Sequence, residues 1–435
     1  ILFLDLQVSG MALSTVDTWD LPAEEAARVR SGRRPSIPDL SKKTRLITPD
    51  PDGLEEYSVV YTNRALNHMS QKFQGVMKDI SATLKSVYAA ESVALVPGSG
   101  TYAMEAVARQ YATGRKCMVI RNGYFSYRWS QIFEFGNIPS EEVVLKARPV
   151  DDSDQPAYEP CPLEEVVAAI RANRPDVVFA PHVETSAGMV LPDDYLKVVA
   201  AAVHEVGGLF VLDCIASGCL WVDMKQVGVD VLITAPQKGW SGSPCAGVVM
   251  LSAEARRRLE ETRSTVFAID LKKWVAVMEA YEAGGHMYHT TMPTDAIYTF
   301  WEVQQETAAY GFQRAKEEQL ALGDAMRRGL TQRGFKSVAA KGFQAPCVVV
   351  LYTDDPEMKT GVKFARQGIQ TAAGVPLMVD SFTESAQFLT FRLGLFGLDK
   401  LRDMDQTVRR FAGALDRAQK PAEDAQAARA PFSRL

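Results

Sequence analysis

Short apolar runs alternate with helix-like amphipathic stretches from about residue 75 to residue 251. Because almost continuous apolar strands are typical of a sheet that is covered on both faces, these runs indicate a mostly parallel sheet. The alternation of strands with helices indicates an α/β architecture. Strands are predicted at residues 92–97, 116–121, 142–146, 176–181, 209–213, 229–234 and 246–251, with helices such as 163–173 and 193–206 between them.

The pattern changes after residue 293. Residues 294–333 contain no proline, and their periodic apolar positions predict one long helix that is kinked near Gly311. Two later apolar runs, at 347–352 and 388–393, predict strands. A closing helix is expected from about residue 398 to residue 419. This second pattern indicates a smaller domain that follows the parallel sheet.

Composition narrows the class of protein. The chain is 47% hydrophobic and 23% charged, as is usual for a soluble globular enzyme. A formal net charge of -5 provides no polycationic surface for nucleic acid or anionic lipid. No apolar run approaches the length of a membrane span. We therefore expect small molecules and a second copy of the chain as partners, with no nucleic acid and no membrane.

The six cysteines form no Cys-x-x-Cys pair and no cluster with histidine at metal-ligand spacing. They are Cys117, Cys161, Cys214, Cys219, Cys245 and Cys347. Several lie in apolar runs and are interpreted as reduced core thiols. We therefore predict no metal site and no disulfide framework, and a reducing cytoplasmic location.

Three separated segments carry residues that fit one chemistry. Lys238 follows a predicted strand in a loop rich in Gly, Ser and Pro, and Asp213 ends an earlier strand. Pyridoxal 5′-phosphate (PLP) requires such a pair, because a lysine amine forms a Schiff base with its aldehyde and a carboxylate keeps its pyridine nitrogen protonated. Residues 98–101 predict a glycine turn that opens a helix, where N–H groups and hydroxyls hold a phosphate. Since α/β folds bind ligands beyond the ends of their strands, the three segments together predict a PLP site.

The order of phosphate-binding turn, aspartate and lysine resembles that of the class V aminotransferases of PLP fold type I, particularly their alanine/serine:glyoxylate branch. The resemblance extends over roughly residues 67–415. It implies an α/β fold with a large domain around a mostly parallel seven-stranded sheet and a smaller α+β C-terminal domain. It also implies PLP as cofactor, a homodimer with shared active sites, and ping-pong transfer of an amino group from a small amino acid (alanine or serine type) to a 2-oxo acid such as glyoxylate or pyruvate.

Pattern and resemblance together suggest how the chain is organised. Residues 1–10 lack the basic start of a signal peptide, and Met11 resembles a natural start, so we interpret residues 1–10 as a remnant of the expression vector. The other predicted parts are an N-terminal segment at the active-site entrance (11–66), a large PLP-binding domain (67–293), an interdomain helix with the small C-terminal domain (294–420) and a flexible tail (421–435).

The resemblance also implies roles for individual residues. The residues matched to phosphate contacts are Ser99, Gly100, Thr101 and Gln237. The residues matched to the cofactor ring are Phe125 stacked on one face, Ile215 on the other face, Thr185 at the ring hydroxyl, Asp213 at the ring nitrogen and Lys238 at the aldehyde. Lys238 and Asp213 are the expected catalytic residues.

Two further matches concern the partner subunit and the substrate. Tyr288 and Thr291 match residues that reach into the neighbouring subunit's phosphate-binding turn, so an obligatory dimer is expected. Arg392 matches the arginine that binds the substrate α-carboxylate. A guanidinium fork suits a planar carboxylate, and burying it on an apolar strand is costly without an anion.

Several alternatives remain at this stage. Gln237 replaces the His that is typical of cysteine desulfurases and kynureninases, which favours transamination over a PLP lyase or desulfurase on the same fold. Another amine donor, such as an aminophosphonate, is also compatible with the motifs. A non-catalytic phosphate-binding protein would explain residues 98–101 but not Asp213 with Lys238. The chain departs from the family at Val183, where glycine is usual, and at 47–66, where Arg64 either binds a second acidic group or is a surface residue.

Overall fold

The structure, a computed structural model, describes residues 65–419. The predicted remnant at 1–10, most of the entrance segment with Arg64, and the tail at 421–435 lie outside the described residues. Within the described range, helices flank a seven-stranded sheet, and a three-stranded sheet lies in the C-terminal part of the chain.

The elements follow one another in the alternation that the sequence predicts. The strands are β1 (Ser92–Pro97), β2 (Lys116–Arg121), β3 (Glu141–Lys146), β4 (Arg148–Pro149), β5 (Tyr158–Glu159), β6 (Val177–Pro181), β7 (Val183–Glu184), β8 (Met189–Val190), β9 (Leu209–Asp213), β10 (Val231–Thr234), β11 (Ala246–Leu251), β12 (Val348–Tyr352), β13 (Ala372–Ala373) and β14 (Thr390–Gly394). The helices are α1 (Gln71–Tyr88), α2 (Gly100–Tyr111), α3 (Tyr124–Gly136), α4 (Leu163–Asn173), α5 (Asp193–Glu205), α6 (Met224–Val227), α7 (Ala253–Glu261), α8 (Leu271–Glu282), α9 (Thr294–Tyr310), α10 (Phe312–Thr331), α11 (Pro356–Thr360), α12 (Val362–Ala365), α13 (Ser381–Glu384), α14 (Leu398–Leu401) and α15 (Met404–Ala418).

The large sheet has the strand order β1-β11-β10-β9-β6-β2-β3. β11 pairs antiparallel with β1 and β10, whereas the remaining neighbours pair in parallel. The predicted mostly parallel seven-stranded sheet is thus confirmed. Because the parallel strands end at one edge, the loops that follow them meet there.

The inner strands are completely buried, which explains their apolar sequences. Every residue of β6, β9, β10 and β11 is buried. Branched side chains such as those of Val and Ile lose little rotamer freedom on a pleated surface, and helices cover both faces of such a sheet. The edge strand β3 differs, because its two glutamates are exposed. The central strands therefore provide a rigid support for the loops at their carboxyl ends.

The long helix predicted at 294–333 is divided into two helices. α9 ends at Tyr310 and α10 begins at Phe312. Between them Gly311 has φ 99° and ψ 119°, a backbone conformation that residues with a Cβ atom rarely adopt. The helix is therefore disrupted at the predicted position, but Gly311 interrupts it instead of bending it.

The small sheet has the antiparallel order β12-β14-β13, and Val350 lies opposite Arg392. The predicted closing helix is also divided, into α14 and α15, because Asp403 starts a new helix by accepting a hydrogen bond from the Gln406 N–H group at 2.9 Å. The domain boundary near residue 293 stays a prediction. Between residues 65 and 419 no helix is long and apolar enough to cross a membrane.

Candidate active site

A cavity of about 570 Å³ lies at the carboxyl edge of the large sheet, against the small sheet. Its lining includes most of the residues that the sequence singled out. They are Ser99, Gly100, Thr101, Phe125, Thr185, Asp213, Ile215, Gln237, Lys238 and Arg392. Tyr288 and Thr291 do not line it. The fold therefore brings together residues from six segments that are far apart in sequence.

The phosphate-binding turn is the start of α2. Its helix begins at Gly100, and Ser99 at the N-cap makes no side-chain capping bond, so its hydroxyl is available to a ligand. A Cβ atom on Gly100 would lie 2.5 Å from Ile215 Cδ1, so a larger residue there would require the Ile215 side chain to move. Unpaired N–H groups and the positive end of the helix dipole make such a start an anion site.

Arg128 adds a positive charge beside this turn. Its Nη1 atom donates a hydrogen bond to Thr101 Oγ1 at 3.2 Å, and its guanidinium carbon is 5.7 Å from the centroid of the Phe125 ring. Arg128 was not among the site residues predicted from the sequence. A signal was available, because Arg128 follows Phe125 by three positions on the same helix and therefore shares its face.

Phe125 is held in place by a buried carboxylate. Glu184 accepts hydrogen bonds from the N–H groups of Phe125 at 3.2 Å and of Ser126 at 2.9 Å, at the first turn of α3. It also accepts a bond from the Ser186 hydroxyl at 2.7 Å. A negative charge is favourable at a helix N-terminus. Glu184 therefore ties the strand-end loop to the helix that presents the Phe125 ring.

Val183 does not disturb this loop. It forms a short antiparallel pair with Val190 and is buried. Because extended backbone suits any residue, the valine is accommodated where the family usually has glycine.

Asp213 is a buried carboxylate without a cationic partner in the described part of the chain. One of its oxygens accepts a hydrogen bond from the Ile215 N–H group at 2.9 Å. Burial raises the pKa of Asp213 to about 7, and the charge of Glu184 acts in the same direction, while the Ile215 N–H group and Arg128 oppose it. A cationic N–H group placed against this carboxylate would satisfy it.

Lys238 lies in the loop after β10, and its Nζ atom is 5.3 Å from the centroid of the Phe396 ring. Burial lowers the pKa of Lys238, and the positive charge of Arg392 lowers it further. A lowered pKa favours the neutral amine, which is the form that attacks an aldehyde or accepts a proton.

Arg392 enters the cavity from β14. Its Nε atom donates to the Ala373 carbonyl at 2.7 Å, and its guanidinium carbon lies 5.5 Å from the centroid of the Phe125 ring. Burial lowers the pKa of Arg392, whereas Glu184 raises it. Within residues 65–419 this guanidinium forms no ion pair, so most of its N–H donors remain available to an anion.

These residues fit PLP. The carboxylate of Asp213 lacks the cation that a pyridine N–H would supply, and the amide oxygen of Gln237 is buried without a partner. Because the oxygen and nitrogen of an amide are assigned from their contacts, the Gln237 amide can equally present its NH₂ group to a phosphate. Bound there, PLP supplies an electron sink for the bond that breaks at the substrate Cα. Within the described range no group of three or more side chains could hold a metal ion.

Tyr288 and Thr291 lie outside the cavity, in the segment before α9. The side chain of Tyr288 is 63% exposed, and its hydroxyl is 3.5 Å from Thr291 Oγ1. The ring of His68 packs beside Tyr288, with 5.8 Å between the ring centroids.

The remaining lining residues were not predicted as site residues from the sequence. They are Met104, Arg128, Val183, Ala216, Val348, Gln370, Thr371, Ala372, Gly394, Phe396 and Lys400, of which only Val183 was noted, as a departure from the family. Most lie on or beside the small sheet. No local motif marks these small-sheet residues, since their common position arises only when that sheet packs against the cavity.

Comparison with known proteins agrees with this geometry. A family model described as Aminotransferase class-V matches residues 52–376. The chain is 28% identical over 362 residues to a 2-aminoethylphosphonate–pyruvate transaminase of Paraburkholderia xenovorans (strain LB400), which covers 81% of this chain and 89% of that relative. It is 25% identical over 318 residues to an alanine–glyoxylate aminotransferase of Felis catus, which covers 71% of each chain.

A solved structure shares the fold. The alanine–glyoxylate aminotransferase from Nostoc sp. superposes with a TM-score of 0.68 and 22% identity, covering 82% of this chain and 89% of that chain. The matched family model spans most of the chain and includes the strand-end loops that form the cavity. The chain therefore belongs to the class V aminotransferases and is a PLP-dependent aminotransferase of fold type I.

Proposed function

We propose that this enzyme transfers an amino group from a small amino acid of the alanine or serine type to a 2-oxo acid such as glyoxylate or pyruvate, by a ping-pong mechanism. The observation that carries this proposal is the unpaired guanidinium of Arg392, which enters the same cavity as the Lys238 amine. An α-carboxylate bound by Arg392 would place the neighbouring substrate carbon in the cavity with Lys238.

Lys238 is the proposed general base. Burial and the charge of Arg392 lower the pKa of Lys238, which favours the neutral amine that can take the proton from the substrate Cα and return it on the cofactor side. Asp213 is proposed to hold a proton on the pyridine nitrogen. The proposed phosphate contacts are Ser99, Gly100, Thr101 and Gln237, and the proposed ring contacts are Phe125, Thr185 and Ile215.

The enzyme is proposed to act as a homodimer with shared sites. Exposed Tyr288 and neighbouring Thr291 would contact the phosphate of the partner subunit's cofactor. Co-expression of a Lys238→Ala chain with a Tyr288→Ala/Thr291→Ala chain tests this. Heterodimers then contain one intact composite site, so activity should return in the mixture although each homodimer is impaired. Without such recovery, the two residues would act within their own subunit or not at all.

A desulfurase is less well supported. All six cysteines are buried, and burial raises the pKa of Cys347 and Cys214 above the usual range of a thiol. A cysteine that receives sulfur must be accessible and carry thiolate character. The same buried, reduced thiols support the proposed cytoplasmic location.

An aminophosphonate donor is the second candidate. A relative that is 28% identical is named a 2-aminoethylphosphonate–pyruvate transaminase, and a guanidinium fork binds a phosphonate as well as a carboxylate. Both candidates use Arg392 for the anion and Lys238 for the amine.

The deciding experiment is a screen of donors and acceptors with the purified PLP-loaded enzyme. Alanine, serine and 2-aminoethylphosphonate are each paired with glyoxylate and pyruvate, and formation of the oxo product is followed. The proposal expects alanine or serine to be the better donor, with parallel lines in double-reciprocal plots. A clear preference for the phosphonate donor would favour the second candidate, and no transfer from any donor would contradict both.

A further inference from the structure

A side cavity of about 380 Å³ adjoins the catalytic cavity. The two share Gln370, Thr371, Gly394 and Lys400 in their linings, so they are continuous. The remaining wall combines apolar side chains, such as Met326, Leu393 and Phe411, with Thr407 and the charged residues Asp399 and Arg410. Small-molecule pockets typically combine an apolar wall with a small number of polar groups.

Lys400 is the charged group at the junction of the two cavities. Its Nζ atom donates one hydrogen bond, to the Phe396 carbonyl at 2.8 Å, and forms no ion pair within residues 65–419. Asp399 acts on Lys400 only through its charge, while burial lowers the pKa of the lysine. A half-buried ammonium with unused donors is costly unless an anion approaches it.

The other residues shared by the two linings, Gln370, Thr371 and Gly394, carry no charge. The Thr371 hydroxyl is buried and packs against Gly361, since an ideal Cβ atom on Gly361 would lie 3.0 Å from Thr371 Oγ1. An oxyanion at the junction would therefore accept its hydrogen bonds from the Lys400 ammonium.

We infer that Lys400 forms a second anion subsite, which selects a substrate with a terminal oxyanion on an apolar stem. The shared chemistry is a carboxylate or a phosphonate at the end of the molecule remote from Arg392. This inference rests on the proposed function, because Arg392 must hold the first carboxylate. The substrate selected in this way is an amino donor or a 2-oxo acid that is longer than alanine or pyruvate and carries an anionic group at each end.

The test compares binding of diacids with binding of their monoamides, which keep the shape but lose one charge. Succinate, glutarate and adipate, and the corresponding monoamides, are titrated into the PLP-loaded enzyme by calorimetry. We expect at least one diacid to bind about tenfold more tightly than its monoamide. Lys400→Gln keeps a donor for the Phe396 carbonyl but removes the charge, and should reduce this ratio to about one. Lys400→Arg should restore most of it.

Lys341→Gln is the matched control, since Lys341 is exposed and lines neither cavity. It should keep the wild-type ratio. Replacing the terminal carboxylate by a phosphonate, as in 3-phosphonopropionate, identifies which oxyanion the subsite prefers.

The inference is overturned if diacids and monoamides bind equally to the wild-type enzyme, or if the diacid preference survives in Lys400→Gln. Failure of the proposed function has a different signature, namely no amino transfer from any donor and no borohydride-trapped cofactor on Lys238. Because binding is measured without turnover, the two failures are distinguishable.

Discussion

The two walls of the catalytic cavity are built differently. The wall from the large sheet consists of loops at the ends of fully buried strands, and Asp213 and Lys238 lie there. The wall from the small sheet carries Arg392 beside β13, whose two residues are exposed. Its cations, Arg392 and Lys400, form no ion pairs in the described part of the chain.

From this difference we propose separate tasks for the two walls. Buried strands with a fixed register hold reacting groups in a constant geometry, which is what a cofactor site requires. A wall with unpaired cations near a sheet edge gains most from binding an anion, which is what substrate selection requires. Changes in the large-sheet wall should therefore affect the rate of turnover, and changes in the small-sheet wall should affect substrate affinity.

The largest effect is expected for Lys238→Ala. Loss of the proposed base and cofactor attachment should reduce amino transfer by about a thousandfold or more. Borohydride reduction followed by peptide mapping should label Lys238 in the wild-type protein and no lysine in the variant. Lys341→Ala is the control and should keep both label and activity. A cofactor label on another peptide would exclude the proposed role of Lys238.

Asp213→Ala should remain folded but lose turnover. Removing a charge-assisted contact from a dry site costs about 3 kcal/mol or more, which corresponds to a decrease in kcat of about a hundredfold or more. Single-turnover kinetics with a saturating donor measures this decrease, and a circular dichroism melt checks the fold. Near-normal turnover would show that the pyridine nitrogen needs no carboxylate partner here.

In the cofactor-free protein, the burial of Asp213 should make the free energy of unfolding depend on pH. Its pKa rises from an ordinary value of 3.8 to about 7 on folding, so the folded state keeps a proton that the unfolded state releases. The stability contributed by this group therefore falls as pH rises from about 4 to about 7. Between pH 5 and pH 8 the free energy of unfolding of the cofactor-free wild-type protein should fall by about 3 kcal/mol more than that of cofactor-free Asp213→Asn. Unfolding in urea measures both. Identical pH dependence in both proteins would mean that Asp213 is not protonated in the folded state.

Arg392→Lys tests the small-sheet wall. The substitution keeps the charge but loses the fork, so KM should rise about tenfold for both donor and acceptor, with a smaller change in kcat. Arg366→Lys, an exposed arginine paired with Glu357, should leave both values unchanged. If both half-reactions of Arg392→Lys stay intact, the substrate anion binds elsewhere, which would contradict the role of Arg392 in both candidate functions.

The smallest effect is expected at Gly100. A Cβ atom there would force Ile215 to move, so Gly100→Ala should weaken PLP binding by about 1 kcal/mol, or about fivefold in Kd. Gly75→Ala is the matched control, because Gly75 lies in α1 and a Cβ atom there would have no neighbour within 4 Å. It should leave PLP affinity unchanged and stabilise the helix by about 0.5–1 kcal/mol. Absorbance titration with PLP measures the Kd of both variants.

Much of the fold could be predicted because its signals are local. The apolar strands, the break at Gly311 and the glycine turn at residues 98–101 each depend on neighbouring residues in the sequence. The predicted long helices were divided for equally local reasons, a positive φ at Gly311 and a capping carboxylate at Asp403.

The sequence by itself determined the α/β class, the order of the strands along the chain, and the positions of Lys238 and Asp213 at strand ends. Only the tertiary structure decided that Arg128 lies beside Thr101, that Glu184 fastens Phe125, and that Lys400 reaches the junction of two cavities. The physical reason is that backbone conformation follows from nearby residues, whereas a contact between distant side chains exists only after the two sheets have packed together.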